Sequence, residues 1–401
     1  MTKPAYLFLV LVILAGGCTP NHPRFQPSGR NTTFQSQDSF QDYIEKSEKI
    51  IAQGRFDLNN DNRYKIIAAN SPFELLPDEQ LFPRREDGRF EKGVLLIHGL
   101  ADSPYAMRPL ARHLQSRGFM VRAILLPGHG TSPGDLTEVN YREWLKAAEY
   151  GINSLQKDVN HLYVGGYSTG AALSIYLAQQ HTDIEGLLLL APSLAIKTNW
   201  AHLTPYVKYL TDWLLICDDA DSTRYESFSV NSVVQIYNLT QELDELIEKG
   251  LKLSIPVFAA VSSEDIVIDP LEFIDFFKNK IVSKKSILLV YSSSPDDFSE
   301  NDPRILVKNS HLPQEKIYDF SHLSMTMPPD DPHYGKDGDY INCLHYRNQS
   351  EEKKICLEDN TIEQGEISSK NKKQGVMRRL TYHPYFYEMM NDLDLFLDGL
   401  H

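Results

Sequence analysis

Short apolar runs recur along the chain and alternate with segments of helical periodicity, and this rhythm constrains the fold more than any other feature. The runs lie at residues 94–97, 119–126, 162–165, 186–190, 256–261 and 287–291. Runs of this length between helices are typical of parallel strands that are buried on both faces. Helical patterns cover residues 104–117, 141–155 and 384–397. The sequence therefore predicts an α/β fold with a mostly parallel central sheet flanked by helices.

Two long segments interrupt the alternation. About sixty residues separate the strand near Ala191 from the strand that starts at Pro256, where connections are usually a few residues long. Because residues 200–216 and 230–249 have helical periodicity, we predict an inserted helical cap over residues 194–254. The second segment, residues 323–377, is polar, and we predict that it is an insertion on the surface.

The N-terminus has the pattern of an export signal. An apolar run at residues 6–14 follows Lys3, and small residues precede Cys18. The run is too short to span a bilayer, so residues 1–17 are predicted to be a signal peptide. The small residues before Cys18 resemble the bacterial lipobox, which implies a diacylated Cys18, and Thr19 implies outer-membrane sorting in a Gram-negative source. The alternative is ordinary cleavage with Cys18 as an incidental thiol.

Composition divides the exported part of the chain. Residues 18–53 are rich in Asn, Gln, Ser and Pro, which predicts a lipidated N-terminal tether, and residues 54–401 are predicted to form the folded domain. The formal charge of −14 opposes binding to nucleic acid and to anionic lipid. Membrane attachment is therefore expected to depend on the lipid anchor.

Export also changes the interpretation of the cysteines. An oxidising compartment favours disulfides, and Cys343 and Cys356 enclose a short polar stretch, so we predict that they pair. Cys217 follows an apolar segment and is predicted to be a buried free thiol. The sequence has no Cys or His spacing of the zinc-binding type, so no metal is expected.

The most specific motif is Gly166-Tyr167-Ser168-Thr169-Gly170. It follows a predicted strand and precedes a helical segment at residues 171–179, which is the context of a nucleophile elbow. The glycines leave room for a sharp turn that exposes the serine. We predict that Ser168 is a catalytic nucleophile; the alternative is a structural turn.

A serine nucleophile requires a base and a residue that orients the base. Asp265 comes just after the predicted strand at residues 256–261, and the apolar Ile266 and Val267 beside it are expected to help bury its carboxylate. Glu264 and Asp269 are rivals for the same role.

The base is expected to follow the acid in the chain. His322 is favoured because an apolar approach turns into a loop there. The other late histidines are His311, His333, His345, His383 and His401, and those at 311, 333 and 345 are expected to be solvated.

The tetrahedral intermediate of such a reaction needs backbone N–H donors for its oxyanion. Thr169, directly after the nucleophile, is predicted to supply one. Leu100, after the strand that ends in His98-Gly99, is predicted to supply the other. His98 itself is interpreted as a packed, hydrogen-bonded loop residue without a chemical role.

Several motifs together resemble one branch of a known superfamily. They are His98-Gly99-Leu100 with Asp102-Ser103-Pro104, Leu126-Pro127-Gly128-His129-Gly130, the elbow at 166–170, Asp265 and His322. They are similar to the monoacylglycerol lipases and lysophospholipases of the α/β-hydrolases, over residues 90–325. The resemblance implies hydrolysis of a monoacyl lipid, lysophospholipid or short acyl ester, without a metal or organic cofactor.

Two other functions compete with this expectation. The same scaffold supports serine aminopeptidases, in which carboxylates of the cap bind the substrate ammonium, and acidic residues do lie in the predicted cap: Asp218, Asp219, Asp221 and Glu226. A charge run of this kind is more often a solvated face. A non-catalytic surface lipoprotein is the third hypothesis; it requires a missing triad member, and all three have candidates.

Overall fold

The computed structural model describes residues 21–30, 38–195, 211–298 and 301–400. Within these residues, eight strands form one central sheet. In chain order they are β1 (Phe73–Leu75), β2 (Phe90–Ile97), β3 (Phe119–Ile124), β4 (Val159–Tyr167), β5 (Ile184–Leu190), β8 (Val257–Ser262), β9 (Ile287–Ser292) and β10 (Ile305–Asn309), and two strands of the cap, β6 (Trp213–Leu215) and β7 (Phe228–Ser229), pair outside it. The six predicted apolar runs all lie on strands of the sheet.

The spatial order of the sheet is β1-β3-β2-β4-β5-β8-β9-β10. All neighbours pair in parallel except β1, which runs antiparallel to β3 at one edge. The central strands are buried on both faces, which explains their continuous apolar runs. The predicted mostly parallel sheet is confirmed, and the carboxyl ends of its strands meet along one edge.

Helices cover both faces of this sheet. They are α1 (Phe40–Gly54), α2 (Arg63–Asn70), α3 (Arg108–Ser116), α4 (Tyr141–Leu155), α5 (Thr169–Gln180), α6 (Val230–Glu248), α7 (Pro270–Lys280), α8 (Ser350–Glu358) and α9 (Phe386–Asp398). One apolar core includes Trp144 of α4 and Leu173 of α5, and the other includes Leu114 of α3 and Phe396 of α9. The three predicted helices outside the cap are confirmed, although the first turn at 104–107 is a 3₁₀ helix.

The prediction of an N-terminal tether over residues 18–53 is wrong for its described part. Helix α1 begins at a capping box formed by Ser39 and Asp42, and it buries Phe40, Tyr43 and Ile51 in the core. The Tyr43 hydroxyl donates to the Leu125 carbonyl at 2.9 Å. The folded domain therefore includes residues that we predicted to be a tether because this region is rich in polar amino acids.

A short stretch before that helix is also attached to the domain. Phe25 is 4% exposed and its ring lies edge-on to Trp213, with 5.1 Å between the centroids. The Ser28 hydroxyl donates to Asp135 at 2.9 Å. Residues 21–30 thus pack against the cap and the domain.

The cap is part helix and part strand. Helix α6 agrees with the predicted helix at 230–249, whereas the end of the predicted helix at 200–216 is strand β6, which pairs with β7. Residues 196–210, where most of that second predicted helix falls, lie outside the described residues.

The segment at 323–377 is not a surface insertion, which corrects the prediction. Tyr334, Cys356, Glu366 and Asn371 within it are buried. Polar side chains are buried here because they form hydrogen bonds with residues outside the segment: Asn371 donates to Asp319 at 2.7 Å, and Tyr334 donates to Asp221 of the cap at 2.6 Å. The segment therefore joins the cap to the sheet.

Cys343 and Cys356 form a disulfide inside this segment, and Cys217 is a buried free cysteine. Burial raises the pKa of the Cys217 thiol to about 11, which keeps it protonated at neutral pH.

Among the helices that the structure describes, none has the length and hydropathy needed to cross a membrane.

Candidate active site

The turn from β4 into α5 places Ser168 at the carboxyl edge of the sheet. Ser168 has φ +55° and ψ −114°, a conformation that is strained for a residue with a side chain. The glycines on both sides permit it: a Cβ on Gly166 would lie 2.2 Å from the Gly170 carbonyl carbon, and one on Gly170 would lie 2.1 Å from the Ile97 oxygen. The predicted elbow geometry is therefore present. Both glycines are required because neighbouring backbone atoms lie too close to leave room for a Cβ.

The structure brings Ser168, His322 and Asp265 into one hydrogen-bonded chain. His322 Nε2 lies 3.0 Å from Ser168 Oγ, and His322 Nδ1 lies 2.6 Å from Asp265 Oδ2. All three side chains are buried, with Ser168 the most accessible at 8% exposed. These contacts suit a serine whose proton passes to an imidazole that a carboxylate orients.

Backbone donors hold the Asp265 carboxylate. Its Oδ1 accepts from the Val267 N–H at 2.7 Å and from the Ile268 N–H at 3.1 Å. Asp265 is fully buried, whereas Ile266 and Val267 are 36% and 38% exposed, so their expected part in burying the carboxylate stays a prediction. The turn after β8 supports Asp265 through its backbone.

The rivals of Asp265 have other contacts. Glu264 accepts from the backbone and the hydroxyl of Ser293, and Asp269 caps helix α7.

The rivals of His322 lie elsewhere, except for His401, which is outside the described residues. His311 is exposed, His345 bonds to the Met377 carbonyl, and His383 packs against aromatic rings. His333 and His345 are not solvated as expected, because His333 is 6% exposed and His345 is partly buried.

The two predicted oxyanion donors flank the serine. Thr169 is the first residue of α5, and Leu100 follows β2 and lines the same cavity as Ser168. Within the described residues, neither backbone N–H donates to a protein acceptor. Free backbone N–H groups in a largely buried site are suitable donors for a developing oxyanion.

Two histidines fix the loop that carries Leu100. His98 Nε2 accepts from the Leu126 N–H, and His129 Nε2 accepts from the Ala101 N–H, both at 3.0 Å. Burial lowers the pKa of His129 to about 4 and that of His98 well below its usual value, so both rings are neutral acceptors at pH 7. The interpretation of His98 as a structural loop residue is confirmed.

A cavity of about 200 Å³ opens over Ser168 and His322. The cap and neighbouring loops contribute apolar side chains to its wall: Leu100, Phe228, Val233, Ile236, Val267, Leu323 and Leu344. Polar side chains line another part: Arg224, Glu226, Tyr340, Asn342 and Arg379. The cavity is therefore amphipathic.

Glu366 is a site residue that sequence reasoning missed. It is fully buried, and its Oε2 accepts from the His322 backbone N–H at 3.1 Å. Its Oε1 accepts from Arg379 Nη2 at 2.6 Å and from Nε at 3.0 Å. Tyr167 contributes from the other side, where its hydroxyl donates to the His322 carbonyl at 3.1 Å. No sequence motif points to Glu366, whereas Tyr167 is part of the elbow motif at residues 166–170.

The acidic residues of the cap are occupied by internal contacts. Asp219 accepts from the Glu226 and Ser227 backbones, and Glu226 accepts from Tyr340 at 2.6 Å. Asp221 accepts from His333 at 3.0 Å, whereas Asp218 is exposed.

Among the residues described by the structure, no group of three or more His, Cys, Asp or Glu side chains could hold a metal ion.

Part of the chain is similar to a known protein family. Residues 88–217 match the sequence profile of the family described as "Serine aminopeptidase, S33". This match spans the Leu100 loop, the elbow and the start of the cap. The chain has the α/β-hydrolase fold.

Curated relatives of this α/β-hydrolase cover about half of its length. It is 27% identical to the thermostable monoacylglycerol lipase of Bacillus sp. (strain H-257) over 224 residues, which is 54% of this chain and 88% of that protein. It is 23% identical to the carboxylesterase of Bacillus subtilis (strain 168) over 239 residues, or 57% and 92% of the two chains.

A solved structure, the monoacylglycerol lipase of Paleococcus ferrophilus, matches with a TM-score of 0.44 and 20% identity over 55% of this chain and 88% of that one.

Proposed function

We propose that this α/β-hydrolase cleaves carboxylic esters of monoacyl lipids, lysophospholipids or short acyl chains through an acyl-enzyme on Ser168. The observation that carries the proposal is the chain of contacts from Ser168 through His322 to Asp265, beneath a cavity with an apolar wall. The similarity to a monoacylglycerol lipase and a carboxylesterase supports the same chemistry.

The reaction follows from the positions of the side chains. Ser168 Oγ attacks the ester carbonyl carbon while His322 Nε2 takes the hydroxyl proton, and Asp265 stabilises the imidazolium that forms. The Leu100 and Thr169 N–H groups donate to the oxyanion. Collapse of the intermediate expels the alcohol, which receives the proton from His322. Water then attacks the acyl-enzyme with His322 as base, which releases the carboxylic acid and restores Ser168.

Replacing the nucleophile tests this proposal. We expect Ser168→Ala to lower hydrolysis of 4-nitrophenyl octanoate by about 10⁴-fold or more, since the acyl-enzyme bond cannot form. A fluorophosphonate probe should label the wild type and not the variant. Ser174→Ala is the matched control, because Ser174 is buried on the same helix and its hydroxyl donates to the Gly170 carbonyl. Equal labelling of Ser168→Ala would place the nucleophile elsewhere.

The description of the matched family favours serine aminopeptidase activity as a second candidate. Binding a substrate ammonium requires free carboxylates, whereas Asp219, Asp221 and Glu226 already accept hydrogen bonds. A peptidase would cleave aminoacyl 4-nitroanilides faster than 4-nitrophenyl esters. The ester hydrolase that we propose should respond to acyl length, because each CH₂ buried against the apolar wall contributes about 0.8 kcal/mol.

We also propose that Cys18 carries a lipid and that the protein is exported and anchored to a membrane, on the outer membrane in a Gram-negative source. The signal-like run at residues 6–14 and the small residues before Cys18 support this. Cys18→Ser should move the protein from the membrane fraction to the soluble fraction. Unchanged fractionation, with no incorporation of labelled fatty acid into the wild type, would contradict the anchor.

A further inference from the structure

A second cavity, of about 130 Å³, lies between the docked N-terminal stretch, the end of helix α1 and the cap. Its wall includes residues from four segments of the chain: 22–24, 55–57, 131–133 and 219–225. It shares Arg224 and Tyr225 with the active-site cavity, but neither Ser168 nor His322 lines it. It is therefore a separate cavity, and the ester hydrolysis that we propose does not use it.

Two buried donors in the wall of this second cavity have no partner. The side chain of Arg55 is 6% exposed, and Ser132 is 2% exposed. In the part of the chain that the structure describes, neither Arg55 Nη1 nor Ser132 Oγ forms a hydrogen bond. A buried donor without an acceptor costs free energy, so a pair of them at one small cavity indicates a ligand that accepts hydrogen bonds.

The carboxylates of the same wall already have donors. Arg55 donates to Asp57 through Nε at 2.8 Å and through Nη2 at 2.6 Å. Asp219 accepts from the Ser227 hydroxyl at 2.7 Å. Asp221 is 1% exposed and accepts from side chains of the segment at 323–377. The unused groups are therefore donors, which match an anion rather than a cation.

Three arginines offset the charge of these carboxylates. Arg24 is held by the cap, because its two Nη atoms donate to backbone carbonyls there at 2.9 Å, and its Nε lies 3.6 Å from Asp219 Oδ2. Arg55 comes from the end of α1, and Arg224 from the cap. Because these groups and Ser132 belong to separate segments, donors line separate parts of the wall.

We propose that this second cavity binds a small tetrahedral oxyanion, phosphate or sulfate, held by Arg55 and Ser132. Guanidinium and hydroxyl groups form charge-assisted hydrogen bonds with such anions. A tetrahedral anion presents oxygens in four directions, which suits donors on separate parts of a wall, whereas a carboxylate presents only two oxygens. The bound anion joins the N-terminal stretch to the catalytic domain and the cap.

The first experiment measures binding to the full-length protein by thermal unfolding. Sodium phosphate is titrated at constant ionic strength, with sodium chloride as the reference. We expect a saturating rise in Tm of about 2 °C at about 20 mM phosphate, with a Kd of about 1 mM. A rise no larger than that with chloride, for phosphate and for sulfate, would overturn the inference.

Other anions define the ligand class. Equal rises with sulfate and phosphate would support a general site for tetrahedral oxyanions, and a rise with one of them would assign the site to that anion. Sodium acetate should give a smaller rise, since it offers two oxygens. A larger rise with acetate than with phosphate and sulfate would make the ligand a carboxylate and overturn the tetrahedral class.

Replacing the unpartnered hydroxyl gives the sharpest variant. Ser132→Ala should leave Tm without phosphate unchanged or slightly higher, because the hydroxyl has no partner among the described residues, and should weaken the Kd about tenfold. Ser310→Ala is the matched control: Ser310 is also buried with an unpartnered hydroxyl, but it does not line this cavity. A wild-type Kd in Ser132→Ala would contradict the inference.

Two further variants separate the anion from the ion pair of Arg55. Arg55→Gln should weaken the Kd about tenfold or more, whereas Asp57→Asn breaks the same pair, removes a negative charge and should leave the Kd equal or tighter. Arg63→Gln, at an exposed position on α2, is the control for loss of a positive charge. Equal weakening in Arg55→Gln and Asp57→Asn would make the pair structural and contradict a direct contact with the anion.

Hydrogen–deuterium exchange tests the place of the site. With saturating phosphate, the amides of residues 21–30 should exchange about threefold more slowly or better, because the anion holds the N-terminal stretch against the domain. Unchanged exchange in residues 21–30 and 219–225, despite a rise in Tm, would place the bound anion elsewhere and overturn the inference.

Discussion

At the scale of single residues, His322 is held by more than its two triad partners. Glu366 accepts from its backbone N–H, and Tyr167 donates to its carbonyl. Precise placement of a base matters because small displacements from the reactive geometry are costly in rate. Glu366 lies 44 positions after His322 in the chain, so local motifs could not identify it.

The role of Glu366 can be tested with an amide. We expect Glu366→Gln to lower kcat on 4-nitrophenyl octanoate about tenfold, because the weaker pairing with Arg379 loosens the backbone at His322. The free energy of unfolding should fall by about 1.5–3 kcal/mol with the loss of charged hydrogen bonds. Glu351→Gln is the control, since Glu351 is exposed on α8. Unchanged kcat despite lower stability would limit Glu366 to a structural role.

At the scale of secondary-structure elements, helix α1 shows that the N-terminal region is part of the catalytic domain. Its Tyr43 hydroxyl donates to the Leu125 carbonyl and accepts from the Leu125 N–H at 3.0 Å. The next residue, Leu126, donates to His98, which fixes the Leu100 loop. The helix thus supports the loop that carries Leu100, the proposed oxyanion donor.

Substitution of Tyr43 measures how much its contacts with Leu125 contribute to the free energy of unfolding. We expect Tyr43→Phe to lower the free energy of unfolding by about 1–3 kcal/mol, since it leaves the buried N–H and carbonyl of Leu125 without partners. Tyr43→Ala should cost about 3–5 kcal/mol through the added cavity. Urea denaturation gives both values. Tyr64→Phe, on α2 with Tyr64 87% exposed, should leave stability unchanged. A full-length Tyr43→Ala protein with the wild-type midpoint would show that α1 is dispensable for folding.

The sequence predicted the strands of the central sheet, but it did not predict helix α1 or the burial of the segment at 323–377. Strands such as β5 and β8 are buried on both faces, which leaves apolar runs in the sequence. Helix α1 did carry a signal, because Phe40, Tyr43, Ile44, Ser47 and Ile51 have helical spacing after a capping box, but the polar composition around it obscured the pattern.

The segment at 323–377 had no such signal. It buries polar side chains such as Glu366 and Asn371, and their hydrogen-bond partners lie far away in the sequence. Apolar periodicity cannot reveal burial of this kind.

At the scale of the whole molecule, the grouping of Ser168, Asp265 and His322 was predictable because chain order and strand ends are strong constraints. Ser168, Asp265 and His322 each follow a recognisable element or approach the sheet edge. The polar part of the cavity was not predictable, since Arg224 comes from the cap and Arg379 from the end of the later segment. Part of the cavity wall is therefore built by segments outside the regular alternation of strands and helices.

With the lipid that we propose on Cys18, the docked N-terminal stretch would limit how far the enzyme can stand from a bilayer. Phe25 is fixed against Trp213 of the cap. Phe25 is seven positions after Cys18, and a fully extended chain between the two residues spans at most about 25 Å. An acylated Cys18 would hold the cap next to the head groups and leave little freedom to swing outward. Such an enzyme would draw its substrates from the leaflet that carries it, and its rate would follow their surface density more than their bulk concentration.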